Sequence, residues 1–147
     1  MNFKKIAGID YSLTSPAICV YKEEEDGGYF DFDGCVFHYL FNSERQRQLA
    51  TRSGLSNLKA EPYPEWKTAE ERHEKLTAWA YRIVQGCEEV YLEGYAFATA
   101  AQAGVRSIAE NTGLLKHKMW KNKVSFKSYP PTVIKKFATG KGNANKE

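Results

Sequence analysis

The order of hydrophobic patterns along this chain predicts an α/β fold. The expected core is a five-stranded mixed sheet, a three-stranded antiparallel meander plus parallel strands, flanked by helices. Three observations carry the prediction. Short apolar runs separated by turn residues fill the first 41 positions. Two stretches of helical periodicity follow, one around Leu76 and one around Leu115. Each is succeeded by a short strand-like run that feeds into another helix-like pattern, the mark of strand–helix–strand units.

Lys4-Lys5 leads into the apolar run Ile6-Ala7-Gly8-Ile9, which stops on Asp10; the polar turn Tyr11–Ser15 and a second run, Ala17–Val20, follow. This reads as a buried strand, a tight connection and an antiparallel partner. Lys22–Gly28 is an acidic turn, with Asp26-Gly27-Gly28 supplying the freedom to reverse. Tyr29–Phe41, rich in aromatics, is the third strand. Asn42–Trp66 reads as a long basic excursion carrying Arg45, Arg47 and Arg52, with Pro62 and Pro64 and a short helix near Arg45–Thr51. Loops of that length are usually functional or mobile. The arginines suit contact with a polyanion, and a plain surface loop is the alternative.

Thr68-Ala69-Glu70-Glu71 is a capping box. Leu76, Trp79, Ala80, Ile83 and Val84 then form one apolar helical face, and Gly86 marks the stop. His73 lies at the edge of that face. Glu89–Glu93 is a short buried strand, again ending on a carboxylate. A second long helix is expected from Thr99 to Trp120, with Val105, Ile108, Thr112, Leu115 and Met119 on one side. Val124–Tyr129 is the fifth strand, and Pro130-Pro131-Thr132 opens a short helix to about Ala138.

At 147 residues, 42% hydrophobic and 14% aromatic, the chain is most simply one folded domain, spanning residues 1–147. No apolar run approaches the ~20 residues of a membrane span, and the N-terminus shows no signal-peptide core. Three widely spaced cysteines, Cys19, Cys35 and Cys87, suit buried thiols in a reducing cytoplasm. The net charge of +3 hides an asymmetry: Leu114–Glu147 sums to +8, leaving −5 for the rest. A lysine-rich end suggests a polyanion-binding face; a solvated helix end would look the same.

In a meander followed by strand–helix–strand units, the first and fourth strands lie side by side. Asp10 and Glu93 would then meet at one edge, although 83 positions separate them. Paired carboxylates repel unless a divalent cation sits between them, and hard oxygen ligands select magnesium, or manganese in its place, over zinc. An Asx-turn onto Ser12 is the structural alternative for Asp10.

The motifs Gly8-Ile9-Asp10, Tyr91-Leu92-Glu93 and Thr99–Gly104, with Ser128–Lys136, Thr139–Gly142 and Ala144–Lys146 behind them, resemble the RuvC-type Holliday-junction resolvases, endonucleases of ribonuclease-H-like fold. The resemblance spans nearly the whole chain outside the excursion. It implies a metal-dependent crossover junction endodeoxyribonuclease: in-line attack of water on a phosphodiester of branched DNA, with two ions about 4 Å apart. Asp10 and Glu93 match metal-binding carboxylates. Lys135 and Lys146 match basic positions facing the scissile region, with Lys136 and Lys141 beside them as DNA contacts. Tyr95 or Phe97 falls where an aromatic meets the branch point. The family works as a homodimer, which makes the small-residue helix from Ala98 a candidate interface, in the cytoplasm of a bacterial or phage-infected cell. It completes its site with two further acidic or histidine ligands on a last helix. After Glu110 this sequence holds only Glu147, which implies either a longer protein or an incomplete site and a catalytically impaired DNA-binding module. A third reading, an actin-like nucleotide-binding half-domain suggested by Gly8–Ser12, lacks a second phosphate turn.

Overall fold

The structure is a computed structural model that describes residues 3–24, 29–94 and 103–145. Its elements run β1 (Phe3–Asp10), β2 (Ala17–Glu24), β3 (Cys35–Phe41), α1 (Glu44–Ser53), β4 (Leu58–Pro62), α2 (Ala69–Val84), β5 (Glu89–Glu93), α3 (Ala103–Lys121), β6 (Phe126–Tyr129) and α4 (Pro131–Thr139). The strands form one sheet in the order β4-β3-β2-β1-β5-β6. β2 is antiparallel to both β1 and β3, and the other neighbours are parallel. The meander and the adjacency of the first strand and Glu89–Glu93 are therefore as expected.

The strand count is not. The sheet has six strands, because residues 42–66 are not a loop. Ser43 caps α1 by accepting from the Gln46 amide, and Gly54, in the left-handed region at φ 68°, ends it. Leu58–Pro62 then pairs with β3 in parallel. The proline signals misled the reading: Pro62 sits on an outer strand at its last residue, where a missing N–H costs nothing to the ladder. The third strand is also shorter than expected, since a 3₁₀ turn over Phe32–Gly34 precedes it.

Helices α2 and α3 cover one face of the sheet. Thr68 caps α2, with the Glu71 amide donating to Thr68 Oγ1 at 3.1 Å. Ala7, Ile9, Ile18, Val20, Leu40, Val90 and Leu92 point from the strands into this core, meeting Leu76, Trp79 and Val84 of α2 and Leu115 and Met119 of α3. Burying each large apolar side chain contributes about 1.5–3 kcal/mol. His73 is buried with them rather than at the edge. The alternate residues Ile6, Gly8, Cys19, Tyr21, Phe37 and Tyr91 face the other way. They floor a groove of about 940 Å³, with Val133, Ile134 and Phe137 of α4 along its side. No helix among the described residues is long and apolar enough to cross a membrane.

Candidate active site at the carboxylate edge

β1 and β5 end together. Ile9 pairs with Leu92, so the next residues, Asp10 and Glu93, stand beside each other on strands about 4.8 Å apart. Ile9 and Leu92 are buried under the helices, so alternation sends Asp10 and Glu93 to the opposite, groove-bearing face. Asp10 is exposed and Glu93 half-buried. Neither forms an ion pair with a described residue. The Asx-turn does not form: the Ser12 hydroxyl, not Asp10, organises the turn by accepting from the Ser15 amide at 3.0 Å.

Two hard oxygen donors on adjacent strands fit magnesium or manganese. Such an ion takes one or two protein carboxylates and fills its shell with water and phosphate oxygens. Among the described residues no group of three Asp, Glu, His or Cys side chains gathers, so this pair is the donor set on offer, and no zinc set competes.

The connection that leaves Asp10 is clamped. The Leu13 carbonyl accepts from the Tyr63 hydroxyl and from Arg72 Nη2 at 2.7 Å, while Arg72 Nε donates to Tyr63 Oη at 2.7 Å. The Arg72 guanidinium also lies over the rings of Tyr63 (5.6 Å) and Trp66 (4.8 Å). Asn42 Nδ2 donates to the Thr14 carbonyl at 3.3 Å. Both ends of the 42–66 excursion thus hold the turn beside the first carboxylate, a role its composition did not reveal.

The expected DNA-contacting residues separate in space. Arg45, Arg47 and Arg52 lie on α1, at the β4 edge, three strands from β1. Arg47 is engaged by Glu44 at 2.7 and 2.5 Å, and this pairing, with Gln48, holds Glu44 down to about 2. The structure therefore does not bring these arginines to the carboxylates. Lys135 is half-buried on α4, and Lys136 and Lys141 are exposed. α4 starts directly after β6, whose end is tied to β5 by the Gly94 N–H donating to the Tyr129 carbonyl at 2.7 Å. Beyond Gly140 (φ 79°) the chain doubles back: a Cβ on Gly142 would stand 3.3 Å from the Thr132 carbonyl in the first turn of α4. That return brings the Lys141 segment toward the carboxylate edge. Lys118, Lys121 and Lys123 lie at the other end of the sheet, where β6 begins, so the basic block is not one face. Tyr95, Phe97 and Lys146, and the Thr99–Gln102 start of the expected helix, lie outside the described residues.

One feature of the site escaped the sequence reading. Tyr91 and Tyr129 stack at 6.1 Å with 23° between their planes. Tyr129 pairs with Glu93, and Tyr91 lies two residues before it, so both rings share the carboxylates' face. The signal was available in the alternation of Glu89–Glu93. Tyr91 also donates to Glu89 at 2.5 Å, and this bond, with Lys127 nearby, holds Glu89 below the usual carboxylate range.

No protein-family model matches the chain, and no curated protein does. Its fold does match solved structures. RuvC of Thermus thermophilus aligns over 97% of this chain and 73% of its own, at 17% identity and a TM-score of 0.57. The T. thermophilus RuvC in complex with a Holliday junction substrate aligns over the same shares at 15% identity and a TM-score of 0.61. The yeast mitochondrial Holliday junction resolvase Ydc2 aligns over 94% of this chain and 57% of its own, at 10% identity and a TM-score of 0.51. The chain thus has the ribonuclease-H-like fold of the RuvC-type resolvases, as its motifs led one to expect.

Proposed function

We propose that this chain, on a RuvC-type fold, is a divalent-metal-dependent endonuclease that cleaves Holliday junctions or other branched DNA, working as a homodimer. The observation that carries the reading is that Asp10 and Glu93 directly follow the last paired residues, Ile9 and Leu92, of two adjacent parallel strands, and neither forms an ion pair with a described residue. Two unpaired carboxylates side by side are electrostatically costly unless a cation is shared.

Asp10 and Glu93 would hold magnesium, or manganese in its place. A divalent ion bound there supplies Lewis-acid activation of water and stabilises charge on the phosphate. Arg72 and Tyr63 both donate to the Leu13 carbonyl, a clamp that would hold the turn after Asp10, and so the carboxylate, in place for such an ion. Lys135, Lys136, Lys141 and Lys146 would hold backbone phosphates, which fixes register and reads little sequence. Tyr95 or Phe97, in the segment after Glu93, would stack on a base exposed at the branch point. The products would be a 5′-phosphate and a 3′-hydroxyl.

The test is nicking of a four-way junction against linear duplex of the same sequence, with and without magnesium. Junction-selective, metal-dependent nicking that Asp10→Asn removes is the expected result; nicking retained in Asp10→Asn overturns it. A second reading, a catalytically impaired junction-binding module, is favoured by the donor set of only two carboxylates among the described residues. Tight junction binding by the unaltered chain, with no nicking in magnesium or manganese, would select it.

A further inference from the structure

The end of α3 closes on a lysine where its turn calls for glycine. The Lys123 N–H donates to the Trp120 carbonyl at 3.1 Å and the Val124 N–H to the Met119 carbonyl at 2.9 Å, the paired bonds of a Schellman turn. Lys123 takes its left-handed position, at φ 59°. Helices α1 and α4 also end on a left-handed residue, but there it is Gly54 and Gly140. Among the described residues Lys123 is the one residue other than glycine in that region. A side chain there carries a steric cost that glycine avoids. Around this turn His117, Lys118, Trp120, Lys121 and Lys123 are exposed, Trp120 at 70%. The His117 and Trp120 rings meet at 6.0 Å, and Lys118 Nζ lies 5.3 Å from the centre of the Tyr81 ring. None of these three lysines forms an ion pair with a described residue, whereas Lys127, beyond the turn, lies 3.9 Å from Glu89. Lysines in a last helical turn complement the helix dipole, which accounts for Lys118 and Lys121. It accounts neither for a lysine in glycine's place nor for an indole left in solvent.

We propose that this end of α3 is a second phosphate-binding site, on which the backbone of duplex DNA rests. Charge complementarity selects the occupant. From Asn111 to Lys146 the sequence holds no acidic residue. Three ammonium groups gathered at one helix end repel a second copy of themselves and attract a polyanion. Lysines hold phosphates as point charges, and the exposed indole brings an N–H donor and an apolar face for a deoxyribose. Such contacts fix position and read no sequence. The site stands apart from the carboxylates: from Val124 to Tyr129, the residue paired with Glu93, is roughly 16 Å of extended chain. It rests on the reading of the chain as a DNA-binding protein, and not on cleavage.

The test is binding of the full chain to linear duplex DNA in the presence of chelator, read by fluorescence anisotropy across salt concentrations. Lys121→Gln and Lys123→Gly should each flatten the slope of log affinity against log salt by about 0.9, the loss of one phosphate contact. Lys123→Gly should melt at no lower a temperature than the unaltered chain, since glycine relieves the turn. Duplex should change the tryptophan emission of the unaltered chain and leave that of Trp120→Phe as it was. Unchanged slopes in both lysine variants would overturn the site. So would a shift in their sedimentation with the slopes intact, which would give this face to a second copy. Junction nicking in magnesium, measured alongside, keeps the two readings apart. Nicking with unchanged slopes removes only this site, and flattened slopes without nicking remove only the nuclease.

Discussion

Ile9 and Asp10 are neighbours in one strand, as are Leu92 and Glu93 in the next, yet the sheet sends the members of each pair to opposite faces. Ile9 and Leu92 disappear under α2 and α3 with the rest of the apolar core. Asp10 and Glu93 emerge with Tyr91 and Tyr129 on a face that keeps a wide apolar groove and several exposed hydrophobics, Phe137 at 93% among them. The comparison teaches a division at two-residue period: one face carries the apolar core and the other carries the carboxylates. Covering helices are placed where no charge interrupts the apolar alternation. The carboxylates sit where the strands run out and the alternation leaves them uncovered.

Substitutions on the two faces should part company. Asp10→Asn and Glu93→Gln should each lower junction cleavage by two or more orders of magnitude, as loss of a charge-positioning group does, with a melting temperature equal to or above that of the unaltered chain. Calorimetric titration with manganese should show weakened binding in both. Unchanged manganese affinity would return the pair to a structural role. One residue away, Leu92→Ala should cost about 2–5 kcal/mol of stability in a denaturant titration, and any loss of cleavage should track the unfolded fraction. If Leu92→Ala were neutral, the covered face would not be the stabilising one.

Arg72 tests whether the division is complete, because it lies on a core-covering helix and acts at the carboxylate edge. Arg72→Ala leaves the Leu13 carbonyl without its charged donor and should cost about 1–3 kcal/mol. It should also raise amide exchange in residues 11–15 before it does so in the core; uniform exchange would remove the clamp from the account. His38 gives a smaller, pH-dependent effect. Burial, with Lys59 and Arg82 nearby and Glu61 opposing them, holds its imidazole below the usual value. The folded protein therefore keeps His38 neutral at pH values where the unfolded chain, with a histidine pKa of about 6.5, takes up a proton. This contribution is present above about pH 6.5 and is lost as pH falls through the folded value, so thermal melts of His38→Gln should show a shallower fall in stability below neutral pH. The smallest effect is expected at the groove. Phe137→Ser should change stability by less than about 0.5 kcal/mol, since an exposed ring has little burial to lose. A marked loss would show that the groove face is covered in solution.

Much of this was legible in the linear pattern. The meander, the strand Glu89–Glu93 with its terminal carboxylate, the capped helix from Thr68 and the proline-opened α4 all rest on local signals of two to sixteen residues. The adjacency of the strands that end on Asp10 and Glu93 was also within reach, because few topologies connect those elements. The excursion was not. Its mean character is polar, and β4 is a five-residue outer strand with no buried residue, so nothing in Leu58–Pro62 distinguishes it from a loop until β3 is there to pair with it.

The sequence by itself determined which residues are strand ends, helix starts and carboxylates, because period, capping and turn chemistry are local. Only the tertiary structure decided which charges stand together. It set Arg45, Arg47 and Arg52 on α1 at the β4 edge, three strands from β1, and sent Lys118, Lys121 and Lys123 to the end of the sheet away from Lys141. It turned Arg72, Tyr63 and Asn42 onto the turn beyond Asp10. The reason is one of range. Patterning acts through neighbours a few residues apart, while a clamp joins groups brought close only by the crossing of helices over a sheet.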